Sequence, residues 1–285
     1  MQMDRRKAMS AAAAMAAVSM IPGEAAAAGK LDLTSPAGRL RAYMLLRGGL
    51  DEQLVVSWMS ARYYGVVEDA MTPMFNVRSV VFSRYRKVLA GPYAGGYEAV
   101  NGEVAWFFDP ETNRALDTWR NPWTGRDVKV EGSGFAPSKL YFAPDLSMHL
   151  AHEMPGLEMA HDVLPFEIRG QDVYLTERSR TAMHIPGAAR PYRYSESNTY
   201  RTTLAALSAP GARHVPCDVS FANVCSWRPW LGMGDHPGHM MATGMGRQNA
   251  TLASVPPEWR EAAAQRRPEL LSKPGALLDD LWNKR

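Results

Sequence analysis

The segment 105–130, AWFFDPETNRALDTWRNPWTGRDVKV, constrains the fold more than any other stretch of this chain. An apolar run over 104–108 stops at Asp109-Pro110-Glu111-Thr112-Asn113. A second run, over 115–120, stops at Asn121-Pro122-Trp123-Thr124-Gly125, and β-prone residues resume over 127–130. Asp and Asn side chains bond their own backbone, Pro presets φ and Gly supplies positive φ, so this punctuation between short runs means strands joined by tight turns. The segment reads as a β-meander with Trp119, Arg120, Asn121 and Trp123 at its bend.

The same pattern fills most of the chain. Residues 54–60, 63–67, 77–88, 97–100, 167–168, 172–176, 192–207, 218–227 and 239–247 are β-branched, aromatic or alternating, with Gly, Pro and Asn between them. Helical spacing is confined to the ends. Residues 36–47 place Leu40, Tyr43, Met44 and Arg47 on one face before Gly48-Gly49, while Pro256-Pro257 opens a C-terminal helix and 276–282 forms a last one that docks outside. Residues 132–165, rich in Pro, Met and His, read as a long loop with at most one short helix near 146–154, and a loop of that length is a candidate lid. Many strands with helices only at the termini predict a mainly β fold: one antiparallel β-barrel, lipocalin-like or a related closed sheet. Closure removes exposed edges, and the barrel mouth is the natural ligand cavity. With no repeat and no Ser- or Gly-rich linker, residues 29–285 read as a single domain.

Residues 1–28 read as a leader. Arg5-Arg6-Lys7 precede a mild apolar run over 11–21 and Ala25-Ala26-Ala27-Ala28, a pattern that resembles a twin-arginine export signal and predicts a periplasmic or secreted protein. The run is too short and Ala-rich to span a bilayer. The formal charge of +3 includes three basic and two acidic leader residues, which leaves no concentrated basic face for nucleic acid. Cys217 and Cys225 are the only cysteines. They either pair across a turn at 221–223 or stand as two small buried thiols, and no zinc spacing accompanies them.

Arg120 and Asn121 between Trp119 and Trp123 suit an anionic or flat ligand, because a guanidinium grips a carboxylate bidentately and indoles sandwich a ring. Structurally, the same residues also make a stacked Arg and an Asn-capped turn. Trp227, Arg228 and Trp230 repeat the theme, so the two motifs either form one cage or plug one barrel end. His149, His152 and His161 fall in the expected loop, and His236 and His239 elsewhere. They lack the His-Glu-x-x-His spacing of a zinc protease, and no metal or other cofactor is expected. As general bases, His152 beside Glu153 comes first and His161 beside Asp162 second, with Tyr64 a further proton donor. Nucleophile-elbow, dinucleotide and Walker motifs are absent from the sequence.

Asp109–Thr112, the Trp-Arg-Asn-Pro-aromatic-Thr-Gly motif over 119–125 and the Trp-x-Pro-Trp-x-x-Met-Gly motif over 227–234 resemble a bacterial family known as Domain of Unknown Function family 1838. The resemblance runs roughly from residue 35 to 274. It implies an exported β-rich protein and supplies no activity. The functional expectation is therefore a cofactor-independent enzyme of lyase, decarboxylase or isomerase type acting on a small aromatic or amphipathic anion held by Trp and Arg. A non-catalytic carrier or sensor and a metal-dependent enzyme using loop histidines are the alternatives, and the oligomeric state is left open.

Overall fold

The computed structural model describes residues 31–152, 154–184 and 190–284; the expected leader and Glu153 lie outside the described residues. Helix α1 (Pro36–Arg47) starts at Ser35, whose hydroxyl accepts from the Gly38 N–H at 3.1 Å, with Pro36 in the first turn. It ends at Gly48, where a Cβ would overlap the Tyr85 ring.

Thirteen strands follow: β1 (Val55–Val67), β2 (Ala70–Lys87), β3 (Tyr97–Phe108), β4 (Thr118–Arg120), β5 (Asp127–Lys129), β6 (Ser138–Phe142), β7 (Met148–Leu150), β8 (Leu157–Val163), β9 (Glu167–Arg169), β10 (Asp172–Met183), β11 (Tyr192–Thr203), β12 (Cys217–Cys225) and β13 (His239–Ala250). Ten of them make one antiparallel path, β7-β6-β3-β2-β1-β13-β12-β11-β10-β8, with β9 paired to β10 and β4 to β5 apart. The path curls on itself until Ala99 and Phe142 from one flank share a core with Val173, Leu175 and Tyr200 from the other. The result is a nearly closed barrel in which β7 and β8 remain as unpaired ends. Helix α1 sits in that core and closes one end through Tyr43, Met44 and Leu45.

Alternation decides which side each residue takes. On β1, Ala61 and Tyr63 face inward, while Val56 and Trp58 face outward. That outer wall is covered by α3 (Pro257–Arg266), α4 (Glu269–Ser272) and α5 (Asp279–Trp282), which follow the single turn α2 (Leu204–Leu207). Trp259 is fully buried there against Trp106 and donates its indole N–H to the Val104 carbonyl at 2.9 Å. Asn249 fastens the other end of α1, its amide donating to the carbonyls of Leu45, Leu46 and Val215 at 2.9–3.2 Å. Among the described residues no helix is long and apolar enough to cross a membrane.

One expectation is corrected, and one pair of alternatives is decided. The span 132–165 is not a long loop with a helix near 146–154: β6, β7 and β8 lie in it, because Leu140, Phe142, Met148 and Leu150 alternate inward despite the Pro and His around them. The cysteines do not pair across a turn. Residues 217–225 form one straight strand, so Cys217 and Cys225 stand at its two ends, roughly 26 Å apart at a rise of about 3.3 Å per residue. Both are buried thiols, and burial pushes Cys217 up to about 12.

Candidate functional site

The inner face carries two polar clusters at different depths. Nearest α1, Glu177 projects from β10. Its Oε2 accepts from the Tyr43 hydroxyl at 2.7 Å and its Oε1 from the Tyr200 hydroxyl at 2.5 Å. Arg47, the last residue of α1, places its Nε 3.2 Å from Oε1, and His161 Nε2 lies 3.6 Å from Oε2. Burial alone would raise this carboxyl, but the Arg47 guanidinium and the His161 contacts outweigh it and bring Glu177 down to about 2. Every oxygen of this carboxylate has a partner.

Toward the middle of the barrel, Glu103 (β3) and Glu196 (β11) face inward with Tyr63, Tyr194, Asn198, Asn223 and Arg228. Tyr194 donates to Glu196 Oε2 at 2.7 Å and Asn198 Nδ2 to Oε1 at 3.3 Å, while the Ser79 hydroxyl donates to Glu103. Asn223 Nδ2 reaches both the Tyr63 and Tyr194 hydroxyls, at 3.1 and 3.2 Å. Arg228 donates from Nη2 to the Tyr63 hydroxyl at 3.3 Å and lies over the rings of Tyr63 and Phe107, 5.6 and 5.2 Å from their centroids. Burial pushes both carboxyls up. Ser79 and Tyr194 respectively oppose that by hydrogen bonding, and the charge of Glu196 raises Glu103 further.

This second cluster is incomplete. Among the described residues Arg228 Nε, Asn198 Oδ1, Asn223 Oδ1 and Ser57 Oγ are buried without a hydrogen-bond partner, as are Arg47 Nε and His161 Nδ1 around the fully partnered Glu177 carboxylate. Such atoms cost about 1–3 kcal/mol each when nothing meets them. Met59, Val81, Glu103, Glu196, Asn198 and Phe221 all face inward yet keep part of their surface accessible, so space remains in the lumen at this level. Gly244 and Gly246 on β13 let β1 approach closely, since a Cβ at either would overlap the β1 backbone at Trp58–Ala61.

The two Trp-Arg motifs meet at the end of the barrel opposite α1. The Trp123 and Trp227 rings lie 5.1 Å apart, over Gly65, where a Cβ would overlap both. Trp119 packs edge-on against Phe75 at 5.3 Å, and Trp230 packs between Phe75 and Phe107. Asn121 is fully buried and stitches the motifs together: its amide donates to the Leu231 carbonyl at 2.9 Å and its Oδ1 caps the Trp123 and Thr124 N–H groups. The arginines part company. Arg120 is exposed on the small β4–β5 hairpin, 3.4 Å from Asp127, whereas Arg228 points into the lumen.

The proton-transfer candidates also separate. His161 faces inward on β8 and meets Glu177 and the Tyr43 hydroxyl (3.5 Å), not Asp162, which faces outward to Arg178. His152 is exposed in the bend after β7, and Tyr64 takes the outer face next to inward Tyr63. His149 stacks on Tyr93 at 5.0 Å on the outside. No group of three or more metal-ligating side chains occurs among the described residues.

The family model described as protein of unknown function DUF1838 matches residues 51–281. The chain belongs to the DUF1838 family. Both Trp-Arg motifs and all three inner carboxylates lie within the DUF1838 match. No curated protein matches the chain. Among solved structures, a Bacteroides fragilis protein of YmcC-like fold, provisionally described as exported, aligns at 8% identity with a TM-score of 0.19, over 70% of this chain and 97% of its own.

Glu103, Glu177 and Glu196 were not among the sequence candidates. For Glu196 the signal is the stripe Tyr192, Tyr194, Glu196, Asn198, Tyr200, in which the acid and amide share the parity of the tyrosines and so the inner face; Glu177 on β10 and Glu103 on β3 carry no such stripe.

Proposed function

We propose that this DUF1838 protein is an exported barrel that takes a small aromatic or amphipathic molecule into the middle of its lumen and moves a proton on it without a cofactor, in a lyase, decarboxylase or isomerase type of reaction. The observation that carries this reading is the unpartnered set Arg228 Nε, Asn198 Oδ1 and Asn223 Oδ1 beside Glu103 and Glu196. Arg228 would hold an anionic or carbonyl oxygen, and the amide oxygens would accept from the ligand. Met59, Val81 and Phe221 supply the apolar wall. Carboxyls whose environments push them apart are a sign of acid and base roles: Glu177 stays ionised, while Glu196 and Glu103 hold protons longer. Glu196 is accordingly the proton donor, with Glu103 its neighbour. Arg120, out on the hairpin, takes no part. Export rests on the paired arginines and the Ala-rich run of residues 1–28.

The carrier reading shares the same lumen and is favoured by one feature: the phenols of Tyr43, Tyr194 and Tyr200 already donate to carboxylates, which leaves them no proton for a ligand. One experiment separates the two. Native mass spectrometry of the exported protein identifies any retained molecule, and that compound is then incubated with wild type and Glu196→Gln. Turnover by wild type with binding but no turnover in Glu196→Gln supports the enzyme. Equal retention with no turnover in either supports the carrier, and retention undiminished in Arg228→Met removes the lumen site altogether.

A further inference from the structure

An open concavity also lies outside the lumen. A groove of about 1020 Å3 lies on the outer face of β8, β10 and β11 and reaches Trp227, and a hollow of about 370 Å3 continues it toward β13. Arg180, Ser195 and Val224 border both. The outward direction follows from parity: Glu177, Ser179, Tyr194 and Glu196 face the lumen, so Arg180, Ala182, Arg193 and Ser195 face out.

The register makes the two arginines neighbours. Arg180 stands opposite Ser195 and Arg193 opposite Ala182, so they are diagonal across the β10–β11 pair, a spacing of about 7–8 Å. Both are exposed, and among the described residues neither has a carboxylate within 4.0 Å. The contrast with Arg178, one step along the same strand face, is plain: its Nε and Nη2 hold Asp162 Oδ2 at 2.9 and 2.5 Å. Glu158, the acid on this face of β8, is turned to His184 at 3.2 Å. The positions between the arginines carry Ala182 and Ser195, which leave the space open. Val224, 48% exposed, gives the groove an apolar floor, and Trp227 an aromatic wall.

We propose that this groove is a second binding site, separate from the lumen, for a small phosphomonoester with an aromatic or apolar body. Two guanidinium forks without carboxylates match the several oxygens of a phosphate dianion, whereas a monocarboxylate satisfies only one fork. The volume is that of a small-molecule cleft. The phosphate lies between Arg180 and Arg193, and the body on Val224 against Trp227.

The test is calorimetric titration of the full protein with phenyl phosphate, with benzoate and inorganic phosphate as comparators. Saturable binding of phenyl phosphate at least tenfold tighter than either comparator is expected. Arg180→Ser and Arg193→Ser should each weaken it at least tenfold without lowering the melting temperature, since both residues are exposed, and Arg120→Ser should leave it unchanged. Absence of saturable binding at millimolar ligand, or equal affinity in the Arg180→Ser/Arg193→Ser double variant, overturns the site. Inorganic phosphate binding as tightly as phenyl phosphate overturns the role of Val224 and Trp227. Loss of binding in Arg228→Met, with the outer variants unaffected, places the ligand in the lumen and overturns the proposal.

Discussion

Two carboxylate clusters a short way apart in one barrel solve the burial of charge in opposite ways. The Glu177 carboxylate on β10 is ionised and fully partnered: two phenols, a guanidinium and an imidazole converge on it from β8, β11 and α1. Glu103 and Glu196 are pushed toward the neutral form, and their neighbours leave donors and acceptors unmet. The Glu177 network fastens α1 into the barrel end, and its carboxylate has no oxygen left to offer a ligand. An unsaturated network has donors and acceptors to spare, a feature that buried sites kept for function show.

The largest effect expected from this contrast is on stability. Removing one member of a buried ion pair strands the other, at a cost of about 3–5 kcal/mol. Glu177→Ala should therefore lose that much in urea unfolding, because Arg47 is left without its counter-charge, whereas Glu196→Gln should stay within about 1 kcal/mol of wild type. Equal losses at the two positions would erase the distinction.

The pH dependence should run in opposite directions at the two clusters. Glu177 is lowered from 4.5 to about 2, so it contributes stability that is present above pH 4.5 and lost as pH falls toward 2, an amount of order 3 kcal/mol. Glu103 and Glu196 are raised, so their contribution is present below pH 4.5 and is lost as pH rises through their folded-state values. Urea midpoints measured across pH should show a steep acid limb that Glu177→Gln flattens, and a gentler loss on the other side that Glu196→Gln flattens. A variant at either position that flattens the wrong limb would contradict the assignment.

At the tryptophan end, Asn121 is partnered as fully as Glu177, although Thr124 Oγ1 and Trp230 Nε1 beside it are buried without a hydrogen-bond partner. Asn121 uses its amide and its carbonyl oxygen entirely within the protein. Asn121→Ala should cost about 2–3 kcal/mol through lost caps and an unmet Leu231 carbonyl. Arg120→Ala, one residue earlier and exposed, should cost less than about 0.5 kcal/mol. Thermal unfolding of the two variants side by side checks both, and similar losses would mean that Arg120 holds the hairpin in a way its contacts do not account for.

Much of this architecture was legible in the residues. Ser35-Pro36 and Gly48-Gly49 bracket α1, and Asn121-Pro122 and Thr124-Gly125 mark the turn that joins β4 to β5. Stretches 138–142, 148–150 and 157–163 escaped because each is short and the Pro, Met and His between them resemble loop composition; only pairing with β3 and β10 makes them strands. Motif content identified the tryptophans but could not orient the arginines. Arg120 sits on a two-strand hairpin with no interior, while Arg228 follows a barrel strand whose inward positions lead it into the lumen. Tyr64 illustrates the same limit: a one-residue error of parity exchanges it with Tyr63, which faces Arg228. A histidine beside an acid in sequence is also a poor guide in a strand, since neighbours point to opposite faces. His161 finds Glu177 across the sheet, and Asp162 finds Arg178 outside.

The central claim is that the incomplete cluster, and not the one around Glu177, receives a ligand. Fluorescence titration with anilinonaphthalene sulfonate, an aromatic anion that suits an apolar wall and a guanidinium, tests it most directly in wild type, Arg228→Met, Glu177→Gln and the outer-groove pair Arg180→Ser/Arg193→Ser. Affinity at least tenfold weaker in Arg228→Met, with the folded Glu177→Gln and outer-groove variants close to wild type, is the predicted result. Undiminished affinity in Arg228→Met would contradict the account.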